Sequence, residues 1–344
     1  MALYLKYRPQ DFNSLVWQGF IKETLKKAVA EDKTVGAYLF TGPRGTGKTS
    51  TARIFAKAIN CENGKDGNPC NNCGICDAFW ENSLIDIIEI DAASHTGVDN
   101  IREIIEKAQF SPTLTKYKIY ISDEVHMLSK GAFNALLKIL EEPPTHVKFI
   151  LATTEIHKVP DTILSRCQRF DFRNHTDEDV KNRLEYIAKQ ENVSVDEESY
   201  NYIIKSAEWG LRNAISLFEQ LTQDGKITFS HIIETLGVAS EDEKRNFIEK
   251  VLHKDFTLLD DFEDILKSGK NLKNFFKEIT NDIQKLAIKD LKSGLSIETY
   301  ITILDIFQDI LAKAKQSFDE AMTFKIGILK ILNKNSLKNI SEGY

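Results

Sequence analysis

The stretch Gly42-Pro-Arg-Gly-Thr-Gly-Lys-Thr-Ser50 decides the fold of this 344-residue chain. Residues 42–49 fit the pattern G-x-x-x-x-G-K-[ST], in which glycines let the backbone turn its N–H groups towards phosphate oxygens. Lys48 would add a positive charge beside the outer phosphates, and the hydroxyl of Thr49 is of the kind that ligates Mg²⁺. The stretch therefore predicts a phosphate-binding loop.

The residues on either side of this loop are those that it requires. Ala37-Tyr-Leu-Phe-Thr41 predicts a short buried strand, and residues 51–59 predict a helix. The N-terminal end of that helix carries a partial positive charge and would face the phosphates. The alternative, a Gly-rich turn before an ordinary helix, is disfavoured because strand, loop and helix are all present.

Strands and helices alternate through the first half of the chain. Apolar runs predict four further strands, and amphipathic patterns predict helices between them. This alternation implies an α/β fold with a parallel sheet, here of five strands, and helices on both faces. The further strands are 84–91, 117–124, 147–154 and 167–172, and the helices are 20–31, 98–108 and 130–142.

From residue 174 onwards almost every segment is predicted to be helical. Thr176 with Asp179 predicts a capping box that begins the first of these helices. A polar stretch at 239–244 indicates a second boundary. We therefore expect a nucleotide-binding domain over 1–173, a small helical domain over 174–239 and a further helical domain over 240–344.

Composition limits the function classes. The net charge is −6, and no apolar run approaches the roughly 18 residues of a membrane span. The N-terminal residues lack the long apolar stretch of a secretory signal, so we expect a cytoplasmic protein. The negative charge does not indicate nucleic-acid binding, nor does it exclude it, because binding needs only a local basic face.

Four of the five cysteines lie close together, with the spacing C-x8-C-x2-C-x2-C. In a reducing compartment this pattern predicts a Cys₄ zinc site, whose closed tetrahedral shell has no position for water and therefore a structural role. The alternatives are two disulfides, unrelated thiols or an iron–sulfur cluster. The candidate ligands are Cys61, Cys70, Cys73 and Cys76.

A second motif with chemistry, Asp123-Glu124, follows the apolar run from residue 117. An acidic residue that ends a strand beside a phosphate-binding loop can hold Mg²⁺, and the next carboxylate can orient the attacking water. We assign Asp123 to the metal and Glu124 to the water; the alternative is a pair of solvated carboxylates. His126 follows, and we expect it to be packed or hydrogen-bonded rather than a ligand.

Six stretches together resemble the clamp-loader branch of AAA+ ATPases, as found in the gamma/tau subunits of bacterial DNA polymerase III. The cysteines lie where that family has its zinc module, and the likeness extends over about the first 240 residues. The stretches are Gly42–Ser50, Asp123-Glu-Val-His-Met-Leu128, Phe133-Asn-Ala-Leu-Leu-Lys138, Leu140-Glu-Glu-Pro-Pro144, Leu151-Ala-Thr-Thr154 and Ser165-Arg-Cys167.

This resemblance implies an architecture. Residues 1–173 would form an AAA+ P-loop domain with a zinc insert at about 61–76. Residues 174–239 would form a helical lid, and residues 240–344 an all-α collar that mediates oligomerisation. The chain ends soon after the collar, and we expect the shorter, gamma length.

The resemblance also implies the site residues. Thr154 matches the first sensor of the γ-phosphate, with Thr153 as the alternative. Arg166 matches an arginine finger that acts in trans on a neighbouring subunit, and Arg212 matches the second sensor. The catalytic set is Lys48, Thr49, Asp123, Glu124, Thr154, Arg166 and Arg212; the ATP-binding set is Tyr7, Arg8, Pro9, Val16, Gly42, Pro43, Arg44, Gly45, Thr46, Gly47, Lys48, Thr49 and Ser50; Thr49 and Asp123 would hold Mg²⁺.

The implied function is that of a motor which uses ATP to load a sliding clamp onto primer–template DNA. Its partners would be delta and delta-prime types of subunit, further copies of itself, the clamp and DNA. Any polymerase activity would belong to the holoenzyme. Candidate DNA contacts are His95, Thr96 and Lys130, while Trp17 and Trp209 depart from small residues that the family has near the adenine pocket and lid.

Three other functions compete with this interpretation. A delta-prime type of subunit does not hydrolyse ATP, and the intact loop and acidic pair argue against it. Another AAA+ motor, such as a Holliday-junction helicase, is disfavoured by the cysteine cluster. The third is a zinc-stabilised scaffold that binds ATP without turnover.

Overall fold

A computed structural model gives the fold and describes residues 1–333 apart from 17, 82, 95, 208–209 and 315–316. The chain divides into two compact units, Met1–Lys226 and Ile227–Tyr344. Trp17, Trp209 and His95 lie outside the described residues. The domain limits predicted after residues 173 and 239 remain predictions.

The first unit contains a parallel sheet of five strands, as predicted. The strand order is β2-β3-β4-β1-β5, so the strand that enters the phosphate-binding loop is flanked by neighbours on both sides. Thr41 pairs with Thr153 and Asp91 pairs with Asp123, which brings the carboxyl ends of the strands to one edge. The strands are β1 Ala37–Thr41, β2 Ile87–Asp91, β3 Lys118–Asp123, β4 Val147–Thr153 and β5 Gln168–Asp171.

Helices cover both faces of this sheet, each through an apolar core of its own. Helical segments also precede the sheet and follow it in the chain. The helices are α1 Leu3–Lys6, α2 Gly19–Ala30, α3 Lys48–Asn60, α4 Gly74–Trp80, α5 Val98–Ala108, α6 Lys130–Glu141, α7 Asp161–Leu164, α8 Asp177–Glu191, α9 Glu197–Ser206 and α10 Leu211–Leu221; two short strands are β6 Ser194–Val195 and β7 Lys226–Ile227.

Two element boundaries lie three residues from those predicted, and the other predicted bounds in this unit agree to within one residue. Helix α3 begins at Lys48 rather than at residue 51, because Gly47 adopts a φ of 93° and starts the helix inside the loop. Strand β2 begins at Ile87 rather than at residue 84, because Leu84 is buried against the cysteine cluster. Neither difference changes which residues reach the edge of the sheet.

The second unit, in its described part, is helical and has a core rich in aromatic side chains. Phe276 is fully buried, with its ring stacked on that of Phe324 at a centroid distance of 4.4 Å. No helix among the described residues is long and apolar enough to cross a membrane. The helices are α11 Phe229–Leu236, α12 Glu241–His253, α13 Leu258–Lys267, α14 Leu272–Lys292, α15 Glu298–Ala314 and α16 Glu320–Asn333.

Candidate nucleotide-binding site and cysteine cluster

A cavity of about 650 Å³ lies at the carboxyl ends of the strands in the first unit. Its walls come from the N-terminal segment, the phosphate-binding loop, the ends of β2 and β3, and helices α8 and α10. Most of the predicted ATP-binding residues line it: Tyr7, Arg8, Pro9, Val16, Arg44, Gly45, Thr46, Gly47, Lys48, Thr49 and Ser50.

The loop itself is tight enough to require glycine. A Cβ atom on Gly42, whose φ is 143°, would lie 2.3 Å from the carbonyl oxygen of Phe172. The Nζ atom of Lys48 donates to the carbonyl oxygens of Gly42 and Pro43, each at 2.8 Å. Burial lowers the pKa of Lys48, while Glu124 and Asp123 oppose this effect. The loop thus holds a buried cation between its own carbonyls and two carboxylates.

The two oxygens predicted to hold Mg²⁺ meet in the structure. The hydroxyl of Thr49 donates to Oδ2 of Asp123 at 2.5 Å, and the other oxygen of Asp123 accepts the N–H of Glu124 at 2.9 Å. A hydroxyl and a carboxylate oxygen side by side are ligands that suit Mg²⁺. The donor set therefore fits this ion beside the phosphate-binding loop.

Glu124 is held at the end of β3 by the strand beside it. The hydroxyl of Thr154 donates to Oε2 of Glu124 at 3.0 Å, and the N–H of Thr154 donates to the same atom at 3.3 Å. Thr153, the alternative sensor, is fully buried and has its hydroxyl 3.0 Å from Nδ1 of His126. Of the two threonines, Thr154 is the one bonded to the predicted water-orienting carboxylate.

His126 is packed and hydrogen-bonded, as expected, with a side chain only 7% exposed. Its Nε2 atom lies 3.2 Å from Oε1 of Glu155, and its Nδ1 atom lies 3.4 Å from Oε2 of Glu124. The ring therefore joins the ends of β3 and β4.

The two arginines predicted to act on phosphate differ in position. Arg212 lines the cavity, with its guanidinium 4.8 Å from the ring of Tyr4. Arg166 does not line it; the side chain is 28% exposed, donates to the carbonyl of Thr162 at 2.8 Å and pairs with Glu141 at 3.2 Å. This position is compatible with the predicted action of Arg166 on another subunit.

Arg183 and His175 are among the cavity residues that sequence reasoning missed. Arg183 donates to the carbonyl of Tyr7 at 2.6 Å and so fixes part of the N-terminal wall. His175 is only 4% exposed, and neither of its ring nitrogens has a hydrogen-bond partner within the described part of the chain. Burial lowers the pKa of His175; the charge of Asp179 and the nearby Gly45 backbone, which lies outside hydrogen-bond geometry, oppose this effect. Neither residue stands in a motif, so the sequence carried no signal for them.

The four clustered cysteines come together in the fold. Their sulfur atoms lie within 4.8 Å of one another, with closest separations of 3.7, 3.9 and 4.0 Å. Four sulfurs at 2.3 Å from a tetrahedral zinc ion would be about 3.8 Å apart. Burial raises the pKa of Cys76. Burial also acts to raise the pKa of Cys73, but N–H donors from Cys76 and Glu62 outweigh it and lower the pKa of Cys73 to about 7. The cluster therefore fits zinc in size and chemistry.

The candidate DNA contacts that the structure describes lie together. Thr96 and Lys130 are both exposed, and the carbonyl of Thr96 accepts the N–H of Ser129 at 3.1 Å. Ser129 caps the N-terminal end of α6, where backbone N–H groups favour phosphate.

The sheet order, the phosphate-binding loop after β1 and the acidic pair that follows β3 define an AAA+ P-loop protein. A family model described as "DNA polymerase III, delta subunit" matches residues 17–176. The RuvB Holliday junction branch migration motor of Thermotoga maritima superposes with a TM-score of 0.51 at 17% identity, over 72% of this chain and 79% of that chain. This likeness concerns the fold alone.

Two curated relatives show to which family of AAA+ proteins the chain belongs. DNA polymerase III subunit tau of Bacillus subtilis is 54% identical over 64% of this chain and 39% of its own length. DNA polymerase III subunit gamma of Buchnera aphidicola subspecies Baizongia pistaciae is 39% identical over 82% of this chain and 77% of its own length. The chain belongs to the family of gamma and tau subunits of bacterial DNA polymerase III. It covers less than half of the tau subunit of Bacillus subtilis.

Proposed function

We propose that the chain is the ATP-hydrolysing motor subunit of a clamp loader, which uses ATP to load a sliding clamp onto primed DNA. The observation that carries this proposal is the meeting of Thr49 and Asp123 beside the buried Lys48. A cation, a hydroxyl and a carboxylate around one phosphate-binding loop are the parts that phosphoryl transfer needs. The names of the relatives supply the biological setting.

In this proposal each residue of the cavity has its own task. Lys48 would exchange the carbonyls of the loop for phosphate oxygens, and Thr49 with Asp123 would hold Mg²⁺. When bound, the ion neutralises charge on the phosphates. Tyr7, Arg8, Pro9 and Val16 would enclose the base and ribose, with Gly42 and Pro43 shaping the loop from behind.

Glu124 would orient the attacking water once its carboxylate turns from Thr154 towards the cavity. Two hydrogen bonds from Thr154, with Nδ1 of His126 lying 3.4 Å away, hold that carboxylate at the end of β3. Thr154 would then be free to contact the γ-phosphate, which joins sensing of the phosphate to release of Glu124. Arg212 would contact the same nucleotide from the helical side, and Arg166 would serve the nucleotide of a neighbouring subunit.

The assembly implied by this proposal contains delta and delta-prime types of subunit and further copies of this chain. Sliding clamp and primer–template DNA would complete the active complex, and polymerase activity would reside in the holoenzyme. The helical second unit would supply the oligomerisation surface. Zinc held by the four cysteines would stabilise the first unit without taking part in hydrolysis.

The test is ATP turnover by the chain assembled with its partners, with and without clamp and primed DNA. Strong stimulation by both together is expected, and slow turnover indifferent to both would favour an ATP-binding scaffold. Lys48→Ala should abolish turnover because it removes the buried cation at the loop. Arg166→Ala should spare ATP binding and reduce turnover by about 10³-fold or more.

Arg169→Ala is the matched control for Arg166→Ala. Arg169 is an exposed arginine three positions further on, paired with Asp171 and absent from the cavity wall. Its replacement should leave both binding and turnover unchanged. Loss of ATP binding in Arg166→Ala would contradict a role in trans.

A further inference from the structure

A buried lysine lies beside the cysteine cluster. Lys57 stands on α3, the helix that begins at the phosphate-binding loop and ends just before Cys61. The residue is only 1% exposed. Removing an ammonium group from water is costly unless the surrounding groups compensate its charge. The groups around Lys57 therefore indicate which part of the structure its charge stabilises.

Those neighbours belong to the segment that carries the cysteines. The Nζ atom donates to Oδ1 of Asn71 at 2.6 Å, and it lies 4.9 Å from the ring centre of Trp80 and 5.8 Å from that of Phe79. Asn71 stands between Cys70 and Cys73 with a φ of 60°. Lys57 thus anchors the turn that presents two of the four sulfurs.

No formal negative charge hydrogen-bonds to Lys57 in the described part of the chain, since its partner is an amide oxygen. Burial lowers the pKa of Lys57, and the groups that oppose this are Cys76, Asp11, Cys61 and Cys70. Three of these four groups are cysteines of the cluster. Lys57 therefore lies within electrostatic range of the cysteine cluster, and Asp11 is the one carboxylate among these groups.

We propose that Lys57 is the counter-charge and positioning residue of the zinc centre. Four thiolates around one Zn²⁺ carry a net charge of about −2, which a buried site must compensate. Lys57 supplies one positive charge through space and fixes the Asn71 turn through its hydrogen bond. This inference rests on the proposed zinc site.

The P-loop helix is also joined to this segment by a second cation. The guanidinium of Arg53 lies 5.6 Å from the ring centre of Phe79 and pairs with Glu89 at 2.8 Å. Arg53 is partly exposed, so its charge is solvated and screened. Lys57 is buried, so its charge acts on the cluster with less screening by solvent than the charge of Arg53.

The experiment measures zinc transfer from the full-length, zinc-loaded chain to a colorimetric chelator, with metal content determined first by mass spectrometry. Lys57→Met keeps the length and removes the charge, and we expect zinc release about 10- to 100-fold faster. Lys57→Arg keeps the charge and should recover most of the loss. Lys65→Met removes an exposed charge from the same segment and should release zinc at the wild-type rate.

The outcomes separate this inference from the zinc assignment itself. A folded wild-type chain without zinc would end that assignment and the inference with it. Zinc present in equal amount, with wild-type release from Lys57→Met, would overturn the role of Lys57 alone. If Lys57→Met does not fold, Asn71→Ala removes only the anchor; it should give a smaller acceleration, and an unchanged rate would again overturn the inference.

Discussion

At the scale of single residues, the least expected feature of the cavity is His175. A buried side chain whose two ring nitrogens have no partner among the described residues costs stability, so its retention in a cavity wall requires a reason. Burial lowers its pKa, which favours the neutral ring over the cation. A neutral ring offers one donor and one acceptor, a pair suited to the base or ribose of a nucleotide.

His175→Phe tests this idea with a ring of similar size that lacks the nitrogens. We expect ATP binding to weaken about 2- to 10-fold, the effect of one lost hydrogen bond. The free protein should be no less stable, because two nitrogens without a partner in the described part of the chain are also removed. Fluorescent-nucleotide titration and thermal unfolding measure the two effects.

The control for this variant is His157→Phe. The side chain of His157 is 72% exposed and lies outside the cavity wall, so neither binding nor stability should change. An unchanged dissociation constant in His175→Phe would mean that the histidine only fills space.

At the scale of helices and strands, the spacing of apolar residues predicts an element correctly where one apolar face packs on one core. Helix α5 occupies Val98–Ala108, the residues predicted, because one apolar face repeats along its length. Strand β2 starts three residues later than predicted, since the apolar Leu84 packs on the cysteine cluster and not in the sheet. A local sequence pattern shows that a residue is apolar, but it does not show in which core the residue packs.

The residues of the site likewise fall into two groups, those that a sequence motif predicts and those that only the fold brings together. The loop, the acidic pair and the cysteines were predicted because each is a contiguous motif with its own chemistry. His175 and Arg183 reach the cavity from a linker and a helix with no motif. Only the fold brings them to the loop, so no property of their neighbours in sequence could have identified them.

Asp86 shows how one buried carboxylate joins two elements. It is 1% exposed, directly precedes β2 and accepts N–H groups from Thr113, Leu114 and Thr115 in the segment before β3. Burial raises its pKa, but these N–H groups lower it more, so that the net shift is downward. The ionised form is therefore the one that the fold stabilises.

Asp86→Asn should destabilise the chain by about 2 to 3 kcal/mol at neutral pH, because the amide accepts these bonds less strongly and adds unmatched donors. Since the folded pKa is the lower one, the contribution is complete above the unfolded pKa of about 3.9 and is lost as pH falls through the folded value. Urea unfolding should thus show the difference between variant and wild type shrinking below about pH 4.

Asp99→Asn serves as the control, since the Asp99 side chain is 89% exposed. Its effect should stay within about 0.5 kcal/mol. A difference between Asp86→Asn and wild type that does not depend on pH would contradict the role of the ionised carboxylate.

At the scale of the whole molecule, the two compact units have separate cores. Every described residue that lines the cavity belongs to the unit Met1–Lys226, as do the four clustered cysteines. The unit from Ile227 onwards has its own core, centred on Phe276 and its aromatic neighbours. A ligand of the cavity should therefore act on the stability of one unit.

Thermal unfolding of the chain is expected to show two transitions, only one of which responds to ATP with Mg²⁺. Ligand at 100 times its dissociation constant stabilises the unit that binds it by about 2.7 kcal/mol. Phe276→Ala should lower the midpoint temperature of the transition that ATP does not shift. Removing a fully buried aromatic ring costs about 3 to 5 kcal/mol of stability. Phe149→Ala, in the core beside the sheet, should lower the ATP-sensitive one. A single transition that both variants and ATP shift together would mean that the chain unfolds as one cooperative body.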